Sequence, residues 1–451
     1  MMPSKKALLR SDGGPMASRT SRISLIISLL ALTSAGASHA QTAASTLTQA
    51  QVEGADLFAR DRNVSVRERP RPEYEALGLT AGTFAVYPLL QIDAEHNDNI
   101  FATATGADSD WIVRLKPEIQ VESGWSRHSL SAFARGTIAR YQDFDAENYE
   151  DWDVGANGRL DITRASNIAG GVNFASITEP RTSSNAPAST REPVSYDLAS
   201  SFLAASHVAG RVKLSARGDR REFDYQDAVT LGGTLVDQDN RDRTISSLTG
   251  RVDVALSPAT ALFVQATTNK RDYDTAVSAL LPARDSEGYE VLAGANFEVG
   301  AVARGEIAVG YIAQDFDAAV YDEIDGFGAR AQLEWFPTQL TTVTTFGSRT
   351  IEDSGIVGSG GYLSTSVGAR VDHELMRNVL LNAEASLSTD AYEGIDREDQ
   401  RLQLSVGGTY LLNRNVGVSL SVGRFEQTSD GLAGGAEFDA NRLTATLVAQ
   451  F

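Results

Sequence analysis

Leu443-Thr444-Ala445-Thr446-Leu447-Val448-Ala449-Gln450-Phe451 alternates in character. Leu443, Ala445, Leu447, Ala449 and Phe451 fall on one side, Thr444, Thr446 and Gln450 on the other, and only Val448 is out of place. Successive strand side chains point to opposite faces, so the stretch reads as a ribbon with one apolar and one wet face. The closing strand of an outer-membrane barrel needs this pattern, with an apolar band facing lipid and an aromatic such as Phe451 at the interface. Such a strand is also what the barrel assembly machinery would take as a partner. An edge strand of a soluble sandwich could carry the same alternation, so the rest of the chain has to decide.

The front of the chain reads as a leader. Arg19 and Arg22 precede an apolar run, Ile23 to Leu32, followed by Ala35-Gly36-Ala37-Ser38-His39-Ala40. A basic segment, a short apolar core and small residues at Ser38 and Ala40 predict a signal peptide over residues 1–40, cleaved after Ala40. Met16 is an alternative start to Met1. The apolar run falls short of the ~20 residues of a spanning helix, and no later run reaches that length. Residence in a membrane therefore requires a closed barrel, the other architecture that satisfies backbone groups in lipid. There is no cysteine, which removes thiolate catalysis and thiolate metal sites. Hydrophobic residues make up 42% and the mean hydropathy is −0.20, too polar for a helical membrane protein. The formal charge is −19, and removing residues 1–40, with five bases and one acid, leaves −23. That balance argues against nucleic acid or anionic headgroups as binding partners.

Residues 41–82 read as a periplasmic tail or partial plug. They include the basic, proline-punctuated Val64 to Pro72, a composition that cannot bury a core. From residue 83 to 451, strand-like segments recur. They start near Phe84, Asp110, His128, Tyr149, Asn167, Val194, Arg211, Arg243, Thr260, Glu287, Val302, Asp325, Thr341, Gly361, Val379, Gln400, Val416 and Glu437. The prediction is an all-β, antiparallel transmembrane barrel of about 18 strands, with 16 to 20 left open. Short turns, such as Gly124–Arg127 and Asn413–Asn415, alternate with long polar loops: 98–109, 178–193, 226–242, 274–286, 315–324, 351–360, 393–399 and 429–436. Short periplasmic turns and long outer loops are the outer-membrane arrangement, which predicts the outer membrane of a Gram-negative bacterium. Loop 226–242 is the best candidate for a constriction or lid, and a plain surface loop is its more ordinary reading.

Alternation also assigns faces. In the second strand Trp111, Val113, Leu115, Ile119 and Val121 oppose Arg114, Lys116, Glu118, Gln120 and Glu122. A charge at the lipid midplane costs about 2–4 kcal/mol for Arg or Lys, so the charged rows belong inside. The expected lumen bases are Arg114, Lys116, Arg135, Arg159, Lys213, Arg217, Arg251, Arg304, Arg330 and Arg370. The expected acids are Glu118, Glu122, Asp161, Asp219, Asp253, Glu290, Glu298, Glu306, Glu334, Asp372 and Glu384. The signs nearly balance, which suits a hydrophilic solute of low charge. The same residues could instead pair with one another and only fill the barrel.

At the long-loop ends aromatics and acids co-occur, as in Tyr141 to Ala146, Phe223-Asp224-Tyr225, Tyr273-Asp274, Gln314 to Ala318, Phe425 and Phe438-Asp439. They read as an outer aromatic girdle. Asp237-Gln238-Asp239 lacks the glycine and distal glutamate of an EF-hand loop, so no dedicated metal site is expected, and diffuse cation bridging to lipopolysaccharide is. No G-x-S-x-G, H-E-x-x-H or phosphate-binding loop occurs. After the leader the histidines are His96, His128, His207 and His373. Only His96 is placed at the outer mouth, where a capping role is expected. The chain is read as a non-enzyme without a cofactor.

Arg69 to Gly78, Phe84 to Leu90 and His96 to Thr103, with Trp111 to Pro117 and Gly124 to Leu130, resemble the putative β-barrel porin 2 family of alphaproteobacteria. The resemblance implies an outer-membrane component found with exopolysaccharide or capsule synthesis genes. Its implied role is to export or anchor a surface polymer, with polysaccharide and periplasmic export proteins as partners beside outer-membrane lipid and lipopolysaccharide. It carries over no catalytic residue. A general diffusion porin, or a plugged structural or adhesive barrel, are the alternatives.

Overall fold

The computed structural model describes residues 63–187 and 190–451. The expected leader, the cleavage at Ala40 and residues 41–62 lie outside them. Eighteen long strands form the body of the molecule. They are β1 (Phe84–Asn97), β2 (Asp110–Ser123), β3 (Ser129–Tyr141), β4 (Tyr149–Asp161), β5 (Ser166–Thr178) and β6 (Ser195–Ala209). Then come β7 (Val212–Tyr225), β8 (Arg243–Ser257), β9 (Thr260–Tyr273), β10 (Ser286–Val299), β11 (Ala303–Phe316) and β12 (Ile324–Thr338). The last six are β13 (Thr341–Asp353), β14 (Gly361–Met376), β15 (Val379–Tyr392), β16 (Glu398–Leu411), β17 (Val416–Asp430) and β18 (Phe438–Gln450). Each starts within two residues of the position that periodicity and turn chemistry predict.

Every strand pairs antiparallel with its chain neighbours, and β18 returns to β1, from Leu89 opposite Gln450 to Asn97 opposite Arg442. The Phe451 amide extends the seam by donating to the Pro88 carbonyl at 3.1 Å. The ring therefore has no open edge, which is what lipid demands of a sheet. A three-residue strand, Leu79–Ala81, folds back on the start of β1. A two-residue hairpin, Ala228–Val229 with Leu235–Val236, lies in the loop after β7.

The outer surface is the apolar row read from the sequence: Trp111, Val113, Ile119, Leu203, Leu248, Val406, Leu420 and Phe451 are all exposed. Outward aromatics collect toward both rims. Trp111, Trp152, Tyr289, Tyr311 and Phe327 lie toward the long loops, and Trp125, Trp335, Tyr410 and Phe451 toward the short turns. Two such belts, one per interface, are the signature of a membrane barrel.

The sequence assignment of the outer girdle needs correction. Phe223, Tyr225, Tyr273, Phe316, Phe425 and Phe438 are all buried, not lipid-facing. They share strand parity with the charged row, so they pack inside the outer mouth. Tyr196, Phe223 and Tyr225 form one cluster there, and Phe425 stacks on Phe438 at 5.5 Å. Aromatic–acid clustering marked the correct end of the barrel, but the face is set by parity.

Inside, four phenylalanines lie flat over glycines of the neighbouring strand: Phe133 over Gly155, Phe202 over Gly171, Phe263 over Gly294 and Phe346 over Gly368. At Gly171 a Cβ would stand 2.6 Å from the Phe202 ring and 2.9 Å from the Asn157 Cβ. Only glycine permits that approach. Gly171→Val is therefore expected to destabilise the folded barrel by about 1–3 kcal/mol through overpacking. Gly250→Val, on the outward face with nothing within 4 Å, should leave stability unchanged. Equilibrium urea unfolding in detergent micelles measures both.

Candidate functional site

The candidate site is the barrel interior, and it is built in three tiers. The middle tier holds the charged rows. Side chains two residues apart on a strand share a face, so Arg-x-Asp places a guanidinium beside its own carboxylate. Arg159 meets Asp161 at 2.8 Å, Arg217 meets Asp219 at 2.6 Å, Arg251 meets Asp253 at 2.9 Å and Arg370 meets Asp372 at 3.0 Å. Other pairs join strands. Arg251 reaches Glu306 at 2.8 Å, Arg370 reaches Glu384 at 3.2 Å, and Arg135 reaches Glu118 at 3.3 Å and Asp153 at 3.7 Å. Arg114 pairs with Glu95 at 3.0 Å and Lys116 with Asp93 at 2.8 Å. Arg330 is 3.8 Å from Glu290, Arg304 binds Glu334, and Gln120 donates to Glu122 at 2.9 Å. Lys213 stands on the same face as Arg217.

Three of these arginines also lie on the phenylalanine tiles. The Arg251 guanidinium is 3.6 Å from the Phe263 ring centre, Arg217 is 4.2 Å from Phe202, and Arg135 is 4.4 Å from Phe133. Each unit is a stack of wall glycine, phenyl ring and guanidinium, with an acid holding the guanidinium edge. Such a wall is hydrophilic but locally neutral, so its field is short-ranged. The ring face and the acid together hold each guanidinium in one orientation.

The outer tier is a crossing. The loop between β5 and β6 does not stay over its own strands. The Gly355 amide donates to Asn185 Oδ1 at 2.9 Å, and Arg401 on β16 donates to Ser184 Oγ at 3.3 Å, on the far side of the ring. Its base is pinned by Arg181 to Glu147 at 2.6 Å and by Arg241 to Glu179 at 2.9 Å. Arg243 of β8 meets Asp353 at the end of β13 at 2.9 Å, and Arg271 of β9 binds the same carboxylate. Residues so far apart in the ring can meet only through the interior. Loop 226–242, the candidate constriction, braces this one: Arg191 donates its amide to the Val229 carbonyl at 2.7 Å, and Arg241 comes from its end. Pinning by buried arginines, which a loop's composition does not advertise, decides which loop turns inward.

The third tier is at the short-turn mouth, where residues 63–78 form a strap. Asn63 donates to Glu298 Oε1 at 2.9 Å, and the Val66 amide donates to Thr342 Oγ1 at 2.9 Å. Arg69 and Arg71 both bind Glu374, at 3.1 and 2.8 Å. Arg304 binds Glu68, while Arg377 and Arg414 donate to the carbonyls of Pro70 and Pro72 at 3.0 and 2.9 Å. Gln450 closes the span by donating to the Tyr74 carbonyl at 3.1 Å. The strap thus touches the wall from β10 round to β18.

The sequence-derived lumen residues share strand parity with the ion-paired rows and oppose the exposed apolar row. Reasoning from sequence missed Asp93, Glu95, Arg243, Arg271, Asp353 and Glu374. For the first two the alternation of Gln91, Asp93, Glu95 and Asn97 with Leu90, Ile92 and Ala94 was an available signal. His96 packs edge-on against Trp111 at 5.1 Å rather than capping the loop. His128, His207 and His373 serve the short turns: His128 accepts the Asp161 amide at 3.0 Å, and the other two contact Ser166 and Thr341. Asp227, Asp237 and Asp239 bring exposed carboxylate oxygens within 4.8 Å of one another in loop 226–242.

A family comparison agrees with this architecture. The family model described as putative beta-barrel porin 2 matches residues 71–451. No curated protein sequence matches. Among solved structures, the chain is similar to the outer membrane protein OpdK of Pseudomonas aeruginosa (12% identity, TM-score 0.42, covering 81% of this chain and 99% of that one). It is also similar to OccK2 (OpdF) of the same organism (8%, 0.46, 81% and 98%) and to its ferric enterobactin receptor PfeA (8%, 0.43, 81% and 80%).

One carboxylate beside the crossing is poised to titrate. Asp242 accepts the Tyr225 amide at 2.6 Å, yet partial burial, then the neighbouring Asp224, Asp239 and Asp274, push it up to about 6. A raised carboxyl pKa means the folded state favours the protonated form. Ionisation therefore costs stability above pH 6, and the cost vanishes as pH falls below the ordinary carboxylate range. Asp242→Asn should raise the thermal unfolding temperature at pH 8 and leave it unchanged at pH 3.5.

Proposed function

The chain belongs to the putative beta-barrel porin 2 family and is a porin-like β-barrel of the Gram-negative outer membrane, and on that premise we propose that it is a passive, size-limited channel for small hydrophilic solutes of saccharide size. The observation that carries this reading is the paired, ring-backed wall of the middle tier. It is wet enough for a hydroxylated solute and too nearly neutral to hold one tightly. Barrels of 16–18 strands leave an aqueous lumen, and here two crossings narrow it, the β5–β6 loop outside and the 63–78 strap inside.

The same crossings favour small solutes over an extended polymer. Export of an exopolysaccharide or capsule chain, which the family resemblance implies, requires both segments to swing aside. The interior offers rows of paired charges along its wall, which supports transport. Outer-membrane lipid and lipopolysaccharide are the surroundings this reading requires, with β18 as the strand offered to the assembly machinery.

Planar-bilayer conductance and liposome swelling test the proposal together. The mature chain should conduct, should pass monosaccharides faster than tri- and tetrasaccharides, and should gain about twofold in conductance when residues 41–78 are deleted. Polymer passage at rates matching small sugars would favour the export role. Absence of conductance in both chains would leave a plugged structural barrel.

A further inference from the structure

The strap does more than narrow the inner mouth, because it leaves a cavity between itself and the wall of β14, β15 and β16. The charges facing that cavity are Arg67, Arg71 and Glu75 from the strap and Arg370 and Asp372 from the wall. Most are already committed. Arg370 is held by Asp372 at 3.0 Å and by Glu384 at 3.2 Å, Arg71 by Glu374 at 2.8 Å, and Glu75 accepts the Arg71 amide. Arg67 is the exception. It makes no hydrogen bond or ion pair with the described residues, although it is half-buried within the barrel. Burial, then the neighbouring Arg370, hold its guanidinium below the ordinary arginine range, so the acids nearby do not compensate it. A guanidinium taken out of water without a partner is costly. Arg71 adds a second open donor, since its buried Nε has no acceptor.

Neutral groups complete the cavity. Asn382 of β15 and Thr409 of β16 face it, and neither side chain is engaged by another described residue. Leu380, Leu411 and Val66 supply an apolar floor beside them. Uncommitted guanidinium donors, an amide, a hydroxyl and an aliphatic surface together match a carboxylate or phosphate attached to a sugar ring.

We propose that this cavity is an oxyanion-binding subsite at the inner mouth, which takes the carboxylate or phosphate of an acidic saccharide with Arg67 as the principal contact. Most guanidinium groups of the middle tier are held by acids of the wall, so the subsite would add a preference for acidic sugars at the inner end. This rests in part on the channel reading for its purpose, but not for its test.

The test is equilibrium binding to the full mature chain folded in detergent at low ionic strength, followed by calorimetry. The probes are glucuronate, glucose as its neutral counterpart, and inorganic phosphate. Saturable binding of glucuronate, phosphate or both, with none of glucose, is expected, and the anion preferred identifies the group. Arg67→Gln should weaken binding about tenfold or more, as expected for loss of a charge-assisted hydrogen bond. Arg67→Lys should retain part of it. Arg424→Gln, in the exposed pair with Glu426, should change nothing. Heat-modifiable migration in gels checks that each variant has folded. Absence of saturable anion binding, or affinity unaltered in Arg67→Gln, would overturn the proposal. A conducting barrel that binds no anion would defeat this inference alone, and a barrel that binds but does not conduct would defeat the channel reading alone.

Discussion

The seam between β1 and β18 is the constraint on which the rest depends. In hydrocarbon an unpaired row of amides and carbonyls costs several kcal/mol per group, so a sheet of this kind exists only if its ends meet. Residues 89–97 and 442–450 provide the meeting edge. Closure in turn defines an inside, and an inside permits the alternation of Leu90, Ile92 and Ala94 with Gln91, Asp93 and Glu95 to satisfy lipid and water at once. Glycine enters for the same reason: a closed wall lined with phenyl rings needs places where a ring can lie flat.

Charge inside such a wall must be neutralised where it stands. The Arg-x-Asp spacing does this within a strand, and Arg251 shows the full device, with Asp253 and Glu306 at its edges and Phe263 against its face. Removing one member of a buried pair leaves the other charge uncompensated, which typically costs about 3–5 kcal/mol. The belt is therefore a structural element as well as a surface for solutes. The positions where this economy is relaxed, above all Arg67, are where a solute has something to recognise.

The fold was legible because its signals are local. Period-two alternation, turn chemistry and loop length are written within about 20 residues of one another, and they located all eighteen strands. The inward rows were legible for the same reason, since Arg114, Lys116 and Glu118 declare their face by their neighbours. What sequence could not supply is whatever depends on meeting across the ring. Phe223 and Phe425 looked like girdle residues because composition near a loop does not reveal parity. The inward turn of the β5–β6 loop depends on Ser184 finding Arg401 and Gly355 finding Asn185, partners more than 150 residues away in the chain. The strap's clasp, Arg69 and Arg71 on Glu374, is equally remote, and no spacing rule connects them.

The account stands on the two faces of β1 meeting different media. The absence of cysteine makes this directly measurable, because single cysteines at Leu90, Gln91, Ile92, Asp93, Ala94 and Glu95 can be tested in intact outer membranes with a charged, membrane-impermeant thiol reagent small enough to enter a porin lumen. Labelling is predicted at 91, 93 and 95, with protection at 90, 92 and 94. Uniform labelling along the strand, or labelling of the even positions alone, would contradict a sealed barrel with a water-filled interior.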